Sequence, residues 1–470
     1  MSTMMTLGID VAVRAKHRAA LADDRGEYVW SGHGFLTAPE ELERLWARVP
    51  EDAEVTVVLE PTRNAWVPLV AWLRARGAQV VLVPPEQSKD LRRYYSKHAK
   101  NDKLDSRILA RLPLLHPEGL RALDDLGPAD ALKRAVRRHA TLIERRTASY
   151  HRLDCLVELL GPAWSQVLGT SDYSNTALVV LERYADPEKL RRLGRARLAR
   201  LLSKHSRGQW REDKAELLLG AAEQTLTLWE AGGLDFTELA ADIASEVATI
   251  RALNEQLTLV DERIERLYEQ VDPAGIFRSG PAMATTSAAG ILGRLGDPNR
   301  FANLGAVRAY TGLVPGVDES GQAGHHTGPT KAGDAGLRHQ LYLAAERARL
   351  VDPTLAAKYY RLVVEDGRHH VSAVCHIAPI LITRLAACWR NGERYIVRDI
   401  DGRPITEAEG REICAEHYRV PDEIRRRRQR TTTTQRQKGR TGRRDQESTK
   451  VAPAVDPSRS DPTHTNDIAA

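Results

Sequence analysis

Cysteine is scarce and scattered: Cys155, Cys375, Cys388 and Cys414 form no CxxC pair. That leaves no framework of disulfides or zinc sites, and a reducing cytoplasm is the expected compartment. No apolar stretch reaches the roughly 18 residues that a membrane span needs. The N-terminus lacks the basic start, long apolar run and small-residue cleavage site of a signal peptide. No membrane partner is expected. Lysine is also short, with 13 of the 69 basic residues. Arginine suits bidentate phosphate contact, although a GC-rich genome produces the same bias. An even basic field is missing too. Residues 424–450 carry eleven Lys and Arg against Asp445 and Glu447, a net +9, and residues 451–470 carry −2. Residues 1–423 are left at −1, so a nucleic-acid surface on the body must be a local patch.

What the chain does have is a set of well-placed acids. Asp10 ends the apolar run Leu7-Gly8-Ile9, and Glu60 ends the run Val55–Leu59. Asp102 and Asp105 stand three apart, on one face of a helix. A carboxylate at the end of a buried strand is expensive unless its charge is balanced. Four of them at one point suit a pair of Mg²⁺ ions, which take oxygen ligands and leave positions open for phosphate. That chemistry belongs to a nuclease or a strand-transfer enzyme. Lys103 and Arg107 fit a neighbouring phosphate.

The 470 residues allow two to four domains. Strands are expected at 6–13, 17–23, 28–35, 54–60 and 79–83, and helices at about 39–49, 65–76 and 100–112. Three strands, helix, strand, helix, strand, helix is the element order of the ribonuclease H fold. Residues 129–271 read as helical. An apolar stripe from Leu132 to Leu160, stopped by Pro162, is flanked by arginines that suit nucleic-acid contact. Ile250, Leu253, Leu257, Val260, Ile264, Leu267 and Val271 form a coiled-coil seam that needs a partner helix from this chain or another subunit.

Residues 273–395 form a further unit whose segment Gly312–Asp334 reads as a glycine-rich loop. Its glycines would let backbone N–H groups approach a phosphate. His325, His326, Lys331, Arg338 and His339 would supply donors to its oxygens. The Ser320 hydroxyl could attack phosphorus there and hold DNA covalently. The His pair could instead bind metal, but no Cys or spaced acid accompanies it. The tail after about 424, with Arg425–Arg428 and four threonines, is expected to be disordered, a basic arm at most.

Gly8-Ile9-Asp10, Leu59-Glu60-Pro61-Thr62 and Asn101-Asp102-Lys103-Leu104-Asp105 resemble the DEDD signature of the insertion sequence 110 transposases. Ala309–Pro315, Ser320-Gly321, Gly328–Gly333 and Leu337-Arg338 are similar to that family's C-terminal domain. The resemblance implies a RuvC-like nuclease domain over 1–125, a helical coiled-coil insertion over 126–271, a mainly helical transposase domain over 272–395 and an extension over 396–470. It implies Mg²⁺ at Asp10, Glu60, Asp102 and Asp105, with Mn²⁺ able to substitute, and Ser320 as the nucleophile of a phosphoserine link. It also implies donor and target DNA, a bridge RNA that pairs with both, and a homo-oligomer in which tetrad and serine come from different subunits. Two other readings stay open: a junction-resolvase-like nuclease using water, and a non-catalytic nucleic-acid-binding regulator.

Overall fold

The computed structural model describes residues 3–83, 102–115, 130–320, 323–331 and 333–426, with the isolated positions 117, 120, 123 and 127. For 102–105 and 315–328 the backbone alone is described. Asn101 and the tail from 427 onward lie outside these residues.

The N-terminal unit is a five-stranded sheet with helices on both faces. Strands β1 (Thr3–Asp10), β2 (His17–Ala22), β3 (Tyr28–Phe35), β4 (Ala53–Leu59) and β5 (Gln79–Leu82) lie in the order β3-β2-β1-β4-β5. β1 is antiparallel to β2 and parallel to β4, which is parallel to β5. Alternation sorts the side chains. Leu7, Ile9, Val57 and Leu59 point to one face. There they meet α1 (Pro39–Trp46) through Leu42 and Leu45, and α2 (Trp66–Arg74) through Trp66, Leu69 and Leu73. Ala20, Ala22, Val58 and Val81 point to the other face, against α3 (Asp102–Leu115).

Two long helices dominate the middle of the chain. α4 (Ala131–Glu158) is capped by the Asp130 carboxylate, which accepts from Lys133 N at 2.6 Å. It ends at Glu158, and Pro162 opens the next helix, α5 (Pro162–Leu168), instead of stopping the stripe itself. Helices α6 (Asn175–Tyr184), α7 (Pro187–Leu193), α8 (Arg195–His205) and α9 (Glu212–Leu228) follow. They share a core around the buried Trp164, whose indole N–H donates to Thr225 Oγ1 at 2.9 Å.

The 36-residue α10 (Phe236–Val271) then returns along α4. Arg152 donates to Glu246, Arg146 to Asn254, and His139 faces Asp261 at 3.2 Å, so the two helices run antiparallel. The apolar seam of α10 finds its partner in this same chain: Leu253 and Leu257 pack on Leu142. Lower down, Ile264 and Tyr268 join Leu132 and Val136 in the core of the C-terminal unit. Val271 is exposed.

That unit comprises α11 (Thr285–Leu295), α12 (Leu304–Tyr310), the strands β6 (Pro315–Ser320) and β7 (Ala323–Pro329), α13 (Ala335–Ala348), α14 (Pro353–Tyr360), α15 (His370–Asn391) and α16 (Glu407–His417). Two expectations need correction here. The glycine-rich segment is an antiparallel hairpin, with Val317 opposite His326 and Ser320 opposite Ala323. Backbone pairing organises it despite the low strand propensity of glycine. Second, among the described residues one helix is long and apolar enough to cross a membrane: α15, with 22 residues. Its Ala373, Val374, Ile377, Leu381 and Leu385 are instead buried against neighbouring helices. Packing also continues past 395. Val397 and Cys414 are buried, and Gly410 lies so close to Val351 O that a Cβ would meet it at 2.1 Å.

Candidate active site

Asp10 and Glu60 come together because of register. Ile9 of β1 is the parallel partner of Leu59 of β4, and each acid follows directly. Both are half-buried. Gly8 is two residues before Asp10, and Val58 is two before Glu60. Since Gly8 and Val58 face α3, alternation puts both acids on that face.

The third contributor is the start of α3. A Cβ on Gly8 would stand 2.2 Å from Ala110 N and 2.3 Å from Ser106 O. Helix and strand therefore touch backbone to backbone, and only glycine permits this. Further along the helix, Arg111 Nε donates to Gly26 O at 2.7 Å, and Gly26 sits in the turn after β2. That turn lies at the beginning of β1, since Thr6 pairs with Ala22. The helix thus runs antiparallel to β1, with its N-terminal turn toward Asp10. From the crossing at Ser106, Asp102 lies four residues upstream, about 6 Å along the axis. From Gly8, Asp10 lies about 6.6 Å along the strand. Those equal reaches bring the turn containing Asp102, Lys103 and Asp105 to the strand ends. Their side chains lie outside the described atoms. Arg107, one residue past Ser106, is exposed and lies over the Tyr28 ring at 4.4 Å. Among the described residues, no three His, Cys, Asp or Glu side chains form a metal-binding group.

His17 also shapes this end of the sheet and was not anticipated. Its Nδ1 accepts from Ala12 N at 3.1 Å, which leaves Nε2 to donate to Thr37 Oγ1 at 2.7 Å. Burial lowers its pKa, so the neutral ring fixes the turn after Asp10. The sequence signal was slight, a histidine opening a strand.

Ser320 stands elsewhere, as the last residue of β6 on the hairpin of the C-terminal unit. His325 is the register partner of Asp318, and His326 of Val317. The base of the hairpin is firmly tied. Thr330 N donates to Val314 O, and Lys331 N to Gly312 O. Gly333 takes φ +94° against Tyr310 O, a position closed to other residues. Lys331 is exposed with φ +56°, and Arg338 Nη1 turns back to Gly333 O at 3.1 Å. His339 is exposed. Beyond the hairpin, Asp334 caps α13 through Leu337 N and takes ion pairs from Arg294 at 2.8 Å and Arg137 at 3.4 Å. Burial works to raise the Asp334 carboxyl, but the Leu337 N–H and the two guanidiniums outweigh it and hold it below the usual carboxylate range. Arg137 belongs to α4, so this carboxylate ties the hairpin exit to the long helical pair. Sequence reading missed Asp334 and Arg294, which lie 40 residues apart.

Two stretches of the chain match known families. Residues 7–162 match a family model described as "Transposase", the DEDD type of insertion sequence 110. Residues 274–361 match one described as "Transposase IS116/IS110/IS902 family". Among curated relatives, the insertion element IS110 uncharacterized 43.6 kDa protein of Streptomyces coelicolor is 25% identical over 404 residues, covering 83% of this chain and 95% of the relative. The insertion element IS116 uncharacterized 44.8 kDa protein of Streptomyces clavuligerus is 26% identical over 382 residues, covering 79% and 91%. The insertion element IS900 uncharacterized 42 kDa protein of Mycobacterium paratuberculosis is 25% identical over 396 residues, covering 83% and 96%. Carboxylates at adjacent strand ends and two transposase segments in order define the class, the transposase of an insertion element. More particularly, the chain belongs to the insertion sequence 110 family. Its substrates are DNA, and its class cleaves and rejoins DNA strands with a divalent metal.

Proposed function

We propose that the N-terminal unit is a RuvC-like domain of ribonuclease H type in which Asp10, Glu60, Asp102 and Asp105 hold two Mg²⁺ ions, with Mn²⁺ able to substitute. The supporting observation is the meeting of Asp10 and Glu60 on adjacent parallel strands, with the α3 N-terminus directed toward them. Four carboxylates are an all-oxygen donor set, which suits a hard cation. When bound, the metal supplies charge neutralisation at the non-bridging oxygens of the scissile phosphate.

The nucleophile in this reading is Ser320. Its Oγ forms a bond to phosphorus, the P–O bond to the leaving DNA strand breaks, and that strand departs as a hydroxyl. The serine proton passes to a neighbouring base. The phosphoserine link conserves the diester for rejoining, when a strand hydroxyl attacks and frees the serine. Residues flanking the acids (Val58, Ile108) and residues flanking the serine hairpin (Leu313, Leu337) pack in different cores, which supports a composite site completed between subunits. A bridge RNA that pairs with donor and target would supply sequence choice, with phosphate contacts from Lys103, Arg107, Lys331, Arg338, His325 and His326. The seam of α10 would then be a coiled coil within one chain rather than between chains.

The test is mixing. Asp10→Asn and Ser320→Ala proteins should each fail to recombine a plasmid bearing the element ends, and together should recover activity. Strand cleavage that survives Ser320→Ala would favour hydrolysis by water instead.

A further inference from the structure

One arginine in the N-terminal unit has no part in the reading above, yet it stands in the same row as the acids. Arg18 of β2 is the register partner of Asp10, and Gly34 of β3 is the register partner of Arg18. Residues directly opposite in an antiparallel ladder project from one face, with Cα atoms about 5 Å apart. Ala20, two residues after Arg18, packs on Ala110 of α3. The face shared by Asp10, Arg18 and Gly34 is therefore the α3 face, and Glu60, just past the end of β4, extends the row.

The path of the Arg18 side chain is specific. Its guanidinium crosses Gly34, where a Cβ would meet Nη1 at 2.9 Å and Cζ at 3.5 Å. Nη1 reaches Gly32 O at a long 3.4 Å. That weak hydrogen bond is the one polar contact found for Arg18 among the described residues, and the side chain is half-buried. The missing side chain at position 34 thus opens a lane that draws the cation away from Asp10. An arginine folded onto Asp10 would neutralise a metal ligand. Drawn over Gly34, it keeps most of its five donors for an anion arriving beside the acids. Lys16, exposed on the β1–β2 connection, runs past the same glycine, its Cδ 3.7 Å from where a Cβ at position 34 would stand.

We propose that Arg18 is a phosphate-binding residue of the site, gripping the DNA backbone next to the scissile position, and that Gly34 sets its direction. The inference rests on the reading of Asp10 and Glu60 as metal ligands only for the identity of the neighbouring phosphate. Its test uses the full chain and a fluorescein-labelled DNA duplex, with anisotropy titrations over a range of NaCl in Mg²⁺ buffer. Losing one phosphate contact should lower the slope of log K against log salt by about 0.9, and weaken binding roughly fivefold near physiological salt. Arg18→Ala should show both changes, and Arg18→Lys should keep the slope. Gly34→Val should reproduce Arg18→Ala although the arginine is still present, because the lane is blocked. An unchanged slope in Arg18→Ala, with a wild-type circular dichroism spectrum and melting curve, would overturn the proposal. Wild-type cleavage by Asp10→Asn would instead overturn the metal-site reading, while the salt slope separately decides the role of Arg18.

Discussion

Replacing Gly8 with alanine is the sharpest probe of how this site is assembled. The added methyl would stand 2.2 Å from Ala110 N and 2.3 Å from Ser106 O, and both obstacles are backbone. To restore ordinary contact near 3.4 Å, α3 must lift off the sheet by about 1.2 Å. Forced overpacking of this kind costs about 1–3 kcal/mol, so the protein should fold with a lowered melting midpoint. The effect on chemistry should be larger. The lift moves the helix turn carrying Asp102 and Asp105 away from Asp10 and Glu60, and the proposed Mg²⁺ site, with metal–oxygen distances of about 2.0–2.1 Å, would tolerate only about 0.2 Å. A misplacement of about 1 Å costs on the order of a hundredfold in rate. Single-turnover cleavage of a supercoiled plasmid carrying the element ends, at saturating Mg²⁺, measures it. Gly220→Ala is the control, since nothing lies within 4 Å of its added methyl. It should cleave at the wild-type rate. If Gly8→Ala also cleaves at the wild-type rate and melts where the wild type does, α3 is not seated on Gly8 and the convergence of the acids is wrong.

Two other measurements probe the scaffold. Asp334→Asn, which keeps an oxygen to cap α13, should still cost about 3 kcal/mol in urea unfolding, because the nearly buried Arg294 loses its charged partner. The Asp334 carboxyl is held below its unfolded value, so its contribution is full above about pH 3.9 and fades as pH falls through the folded value. The gap between wild type and Asp334→Asn should therefore stay constant from pH 5 to 7 and narrow only in stronger acid; narrowing toward pH 7 would contradict the ion-pair account. Maleimide labelling of the native chain at pH 8 should modify the exposed Cys155 rapidly and spare Cys414. Burial pushes the Cys414 thiol up to about 12, and equal rates would show that 396–426 does not pack as described.

The strand ends were readable because a buried strand followed by an acid is a local pattern, and parallel pairing of β1 with β4 then fixes the neighbours. Seated helix α3 was only half readable. Its acids showed in the sequence, but Gly8 reveals its purpose only when Ser106 and Ala110 lie over it. The seam of α10 was legible at its three-and-four spacing, while its partner was not, since α4 lies more than a hundred residues earlier. The serine hairpin escaped because Gly316, Gly321, Gly324 and Gly328 read as loop, whereas the pairing of β6 with β7 is a matter of cross-strand register. Asp334 with Arg294 and Arg137 was invisible for the same reason: each looked like an ordinary surface charge until three segments met. Arg18 required the register of two ladders at once.

The central claim joins a carboxylate metal site to a serine nucleophile, and a single adduct-mapping experiment tests it most directly. Full-length protein is incubated with Mg²⁺ and DNA bearing the element ends, denatured, digested with nuclease and protease, and the modified peptide is sequenced by mass spectrometry. The account predicts a nucleotide remnant on Ser320 that disappears on chelation and in Asp10→Asn. Cleaved DNA with no protein adduct, or an adduct on any residue other than Ser320, would contradict it.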